Sequence, residues 1–129
     1  LDTAVALVDF PVLMVTDDSK GQATGETWTK EQWVKVMEPL FKPHPDMRMT
    51  HRHTIFIVSD SLATVDDQGT MTMGAKKIPS RSSTLLIRKD GKWLVKSMIE
   101  GGWGDMMSAP QAGGPDKAPA QGAADAPVK

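Results

Sequence analysis

The 129-residue chain contains no cysteine. That absence removes disulfides, thiolate nucleophiles and zinc–cysteine sites together. It leaves the compartment open, because cysteine-free proteins occur in all of them. Tyrosine is also absent, so no phenol is available as an acid or hydrogen-bond donor. An excess of charge of either sign is missing too: the formal net charge is -1. So balanced a chain lacks the electrostatic footprint of a nucleic-acid binder. No block of like charges marks a polybasic membrane patch. No apolar run reaches about 18 residues, so no membrane-spanning helix is expected. The chain begins at Leu1 and not at Met, as expected where a signal peptide or other N-terminal segment has been removed.

What is present is ordinary for a folded domain, with 40% hydrophobic and 24% charged residues. The length suggests one domain. From Ser108 to Lys129 the composition shifts to Ala, Pro, Gly, Gln, Asp and Lys, with Val128 the only larger apolar residue. Such a segment cannot bury enough surface to offset the entropy of ordering. A domain over 1–107 followed by a disordered tail over 108–129 is therefore expected.

Leu1 to Val8 is apolar and Ala-rich, suited to the last turns of a helix. Phe10 to Thr16 is a short β-rich run with Pro11 near its start, as at an edge strand. Asp17 to Gly25 is turn-rich and reads as a loop. Thr29-Lys30-Glu31-Gln32 is a capping box. Behind it, Trp33, Val36, Met37 and Leu40 line one helical face until Pro39 and Pro43 stop the helix. Met47 to Val58 reads as one long strand. Leu62 to Val65 is a second strand, with a turn at Asp66 to Gly69. Thr70 to Lys77 alternates Thr and Met as a third, broken at Ile78-Pro79-Ser80. Arg81 to Arg88 and Trp93 to Glu100 flank Asp90-Gly91, a strong short-range hairpin signal.

Segregated helices and an antiparallel sheet define the α+β class. A sheet with a strand this long curls into a cone, a natural small-molecule pocket. The arrangement resembles the nuclear transport factor 2-like superfamily, which includes ketosteroid isomerases and polyketide cyclase-like proteins. Four segments carry the resemblance: FPVLMVTDDSKG, TKEQWVKVMEPLF, MTHRHTIFIVSDSLATV and STLLIRKDGKWLVKSMIEGGW. It implies a cone-shaped curved antiparallel sheet packed against helices. The capping N-terminal helices of that superfamily are largely missing from this chain. It also implies a homodimer formed through the sheet.

On the long strand, period two places Met47, Met49, His51, His53, Ile55 and Ile57 on one face. Neighbouring histidines suit a base and a substrate-orienting group. By resemblance to dehydratase-like members, His51 would line the pocket. By resemblance to ketosteroid isomerases, Asp17 would be a general base. The tyrosine of an isomerase oxyanion hole has no counterpart here, so steroid isomerase activity is not expected. His53, Glu100, Trp103 and Trp28 complete the candidate ligand-binding set. The bland alternative has the histidines on an exposed strand end, Asp17 in a solvated turn and the tryptophans in the core. No metal or other cofactor is expected, since His44, Asp46 and Glu100 show no ligand spacing toward the pair. Methionine is abundant, at nine residues. The face bearing Met47 and Met49 suits either core filling or a dimer surface.

Three functions stay open: a domain binding an apolar or amphipathic small molecule; an isomerase, cyclase or dehydratase-type enzyme using His51 and Asp17; and a non-catalytic association module. The first two need an open cavity reached by His51. The third needs that space packed shut.

Overall fold

The computed structural model describes residues 1–105. The expected tail and the last two residues assigned to the domain lie outside them. The elements are α1 (Asp2–Val5), β1 (Val8–Asp17), β2 (Ala23–Trp28), α2 (Lys30–Met37), a 3-10 turn (Glu38–Phe41), β3 (Met47–Ser59), β4 (Leu62–Met73), β5 (Lys76–Lys89) and β6 (Lys92–Glu100). The strands form one curved, unclosed sheet in the order β2-β1-β6-β5-β4-β3. Every pair is antiparallel except β1 with β6, which is parallel. The sheet is thus mixed, where the sequence pointed to an antiparallel one. The α+β class and the cone stand.

The capping box forms as its residues dictate. Thr29 Oγ accepts from the Gln32 backbone N–H, and the Gln32 side chain accepts from Thr29 N–H at 2.9 Å. It starts α2 so that Trp33 points inward, only 3% exposed, against Val12 and Trp28. Phe10 meets the Trp33 ring edge-on at 6.0 Å and Phe41 at 6.3 Å. This cluster is the core, on the concave side of β1 and β2. The outer half of the sheet has no helix over it among the described residues, and every residue of β3 after Met47 is exposed.

Three local expectations are corrected. Ala23 to Gly25, expected in the loop, begin a strand that runs to Trp28; as an edge pairing only with β1, it needs no apolar alternation. Asp66 to Gly69 is not a turn: β4 runs straight through it, and the chain reverses at Gly74, where φ is +59°. Asp66 accepts from Ser83 Oγ at 2.7 Å. Gly69 lies so close to the Thr50 carbonyl oxygen that a Cβ would collide with it, so strand contact and not turning explains this glycine. Pro79 sits inside β5, opposite Thr70. It is tolerated because β6 pairs only as far as Ser82, leaving β5 locally an edge.

The final hairpin forms at the expected place, with positive φ at both Asp90 (51°) and Gly91 (77°). A bulge shifts β6 against β5 between Leu85 and Leu86, with Lys96 as the extra residue. Val95 therefore joins Met98 and Glu100 on the concave face. The freed Lys96 ammonium reaches Asp9 at 2.9 Å and the Pro11 carbonyl at 2.9 Å.

Candidate functional site

Cross-strand register assembles a polar row on the concave face. His53 stands opposite Asp67, Asp67 opposite Ser82, and Ser82 opposite Glu100. Directly opposed residues share a face, so four strands contribute one row. His51 joins it two residues from His53. Its Nδ1 lies 2.8 Å from Asp67 Oδ2, and His53 Nδ1 lies 3.4 Å from Oδ1. The two imidazoles stack, centroids 5.7 Å apart and planes 12° from parallel. The His51 side chain is 38% exposed and that of His53 58%.

Glu100 occupies the other, half-buried end. Burial raises its pKa above the ordinary 4.5, and the charge of Asp67 adds to the rise. Hydrogen bonds from Trp103 and from Ser80 Oγ, at 3.4 Å, work against it. Beside Glu100 little space is left. Met14, Trp28, Met37, Met98 and Trp103 close around a cavity of about 20 Å³, room for a single water. A second, open depression of about 620 Å³ lies where α1 meets β1 and α2, lined mainly by Val5, Phe10, Val34 and Leu94.

The structure brings His51, His53 and Glu100 into one row, with Trp103 over its buried end. Trp28 belongs to the core and donates its indole N–H to Glu26 at 3.2 Å. Asp17 is engaged elsewhere, accepting from the Gly102 N–H at 2.7 Å. Next to it Thr16 Oγ accepts from the Trp103 N–H at 2.9 Å. Together they pin the loop that carries Trp103. His44 lies in the loop before β3, where its carbonyl accepts from Met47 N–H. Among the described residues, no group of three or more His, Asp or Glu is placed to hold a metal ion. Sequence reasoning missed Asp67, which links the histidines to Glu100, because it was assigned to a turn. Reading β4 as one period-two strand would have found it.

No family model matches the sequence, and neither does any curated protein. Solved structures do. A protein of unknown function with a nuclear transport factor 2-like fold from Pseudomonas putida aligns with a TM-score of 0.61 at 14% identity, over 76% of this chain and 69% of its own. The association domain of C. elegans calcium/calmodulin-dependent protein kinase II aligns at 0.58 and 15%, over 77% and 78%. A further protein of this fold and unknown function, from Shewanella oneidensis, aligns at 0.56 and 10%, over 78% and 81%. The chain has the nuclear transport factor 2-like fold. At these identities the likeness is one of fold alone.

Proposed function

We propose that the domain is a homo-association module whose convex sheet face packs against a second copy. The carrying observation is where its apolar side chains stand. Cross-strand register runs Phe56–Thr64–Leu85–Ser97–Leu13 across five strands on the convex side. Ile99 and Leu62 flank that row. Phe56 is 66% exposed and Ile99 52% exposed, whereas the helices pack on the opposite side. A sheet face that leaves such apolar side chains uncovered in one copy is a partner surface or an aggregation hazard, and Ile55 and Ile57 on the other face of β3 are exposed too. The space beside Glu100 agrees with this reading, since room for one water does not hold a metabolite. That this fold serves as an association domain in the nematode kinase agrees with it.

The test is mass in solution by light scattering across a concentration series. The wild-type chain is expected to be a dimer or larger. Phe56→Lys, on an exposed position, should shift it to monomer with an unchanged circular dichroism spectrum. A monomeric wild type at every concentration refutes the proposal.

One observation favours a second reading: a half-buried carboxyl with a raised pKa beside an indole and a carboxylate–histidine pair, as in sites that bind or move protons. An apolar or amphipathic small molecule would then lie on the uncovered concave floor. Its hydroxyl or carbonyl would meet Glu100 and Trp103, with His51 and His53 nearby. Such binding is expected to quench or shift Trp103 fluorescence in a ligand screen. A Trp103→Phe variant that retains the whole signal would exclude it.

A further inference from the structure

Beyond the polar row, the concave face carries a cluster of a different kind. The pattern Met-x-Met occurs twice, as Met47 and Met49 in β3 and as Met71 and Met73 in β4. The register sets Met47 opposite Met73 and Met49 opposite Met71. All four therefore project from one face. Opposed residues there have Cβ atoms about 4.5–5.5 Å apart, and successive pairs lie roughly 6.5–7 Å apart along the strands. Four long, flexible thioethers thus stand at the corners of a small rectangle.

The next pair along the same face is His51 with Gly69. Gly69 contributes no side chain, and the His51 ring lies over it, with Nδ1 3.4 Å from where a Cβ would stand. His51 Nδ1 is engaged by Asp67 at 2.8 Å. With the Nδ1 proton on that bond, the Nε2 lone pair is left available. A carboxylate behind an imidazole is the support that metal-binding histidines carry. Methionine used as core filler is buried. Here Met49 and Met73 are each 47% exposed.

Donor chemistry selects the ion. Carboxylate and imidazole groups sufficient for a divalent ion are not assembled among the described residues. Thioethers are soft ligands that favour copper(I) over magnesium, calcium or manganese. A neutral donor set also suits a monovalent ion better than a divalent one, which would sit desolvated without an anionic ligand.

We propose that Met47, Met49, Met71 and Met73, with His51 Nε2, form a binding site for a soft monovalent metal ion, copper(I), for which silver(I) is an equivalent probe. The site lies on the concave face and is independent of the convex association surface.

The test uses the full chain without oxygen, with copper(I) kept reduced by ascorbate and held in competition by a bicinchoninate chelator. Silver(I) titration followed by native mass spectrometry gives the stoichiometry. One ion per chain is expected. Replacing all four methionines by leucine keeps volume and apolarity and should abolish retention against the chelator. Met49→Leu and Met71→Leu, made singly, should each weaken binding should the fourfold variant fail to fold. Asp67→Asn should weaken it about 10–100-fold through loss of support for His51. Met106→Leu with Met107→Leu should change nothing. In methionine-methyl NMR, four of the nine resonances should move with silver(I). The proposal fails if the wild type loses copper(I) to the chelator. It fails equally if the leucine variants bind as well as the wild type, or if zinc(II) binds as tightly as copper(I).

Discussion

Trp33 offers the sharpest test of the core. It is 3% exposed, touches Phe10 and Phe41 ring to ring, and packs on Val12 and Trp28. Yet among the described residues its indole Nε1 has no hydrogen-bond partner. Trp33→Ala removes a whole buried aromatic, at a cost of about 3–5 kcal/mol. Domains of this size have about 5–15 kcal/mol in total, so the variant should be close to unfolding. In urea, at a slope of about 2 kcal/mol per molar, the midpoint should fall by roughly 2 M. Trp33→Phe should behave differently. It gives up part of the ring area but also removes an N–H buried without an acceptor, itself worth about 1–3 kcal/mol. The two effects oppose, and the variant should lie within about 1 kcal/mol of wild type. Urea unfolding followed by far-ultraviolet circular dichroism measures both. A Phe variant as damaged as the Ala variant would show that the indole N–H is satisfied and that the account of this core is wrong.

Glu100 predicts a pH dependence. Because burial raises its folded pKa above 4.5, the folded state binds its proton more tightly than the unfolded chain does. That contribution is complete below about pH 4.5 and is lost as pH rises through the raised value. Glu100→Gln, which stays neutral, should therefore match wild type in acid and exceed it at neutral pH in thermal midpoint. A difference independent of pH would refute the assignment. Gly69→Ala forces a Cβ against the Thr50 carbonyl oxygen, and should destabilise by about 1–3 kcal/mol. Amide hydrogen exchange should quicken around Thr50 and Gly69 first; an unchanged midpoint would mean β3 and β4 can separate there freely.

Elements whose signal is local were legible before folding. The capping box at Thr29 and Gln32, the inward Trp33, the long β3 and the Asp90-Gly91 hairpin are all stated by residues within a few positions of one another. Short-range hydrogen bonding and periodicity suffice to specify them. The resemblance of four such segments to the nuclear transport factor 2-like fold was legible for the same reason.

Where a residue's reason lay on another strand, the sequence misled. Asp66, Asp67 and Gly69 look like turn residues. Ser83 and His51 supply partners to the two carboxylates, and Gly69 lies under the Thr50 carbonyl, so the segment stays extended. Ala23 to Trp28 lacks alternation, because only β1 tells it to be a strand.

The sequence by itself determined the class of fold, the helix that packs on the sheet and which residues of β3 share a face. Tertiary structure alone decided that β1 lies parallel to β6, that His53, Asp67 and Glu100 stand in one row, and that two distant Met-x-Met pairs meet. The physical reason is register. Periodicity within a strand tells which side a residue faces, but only pairing with a strand many residues away tells what it faces there.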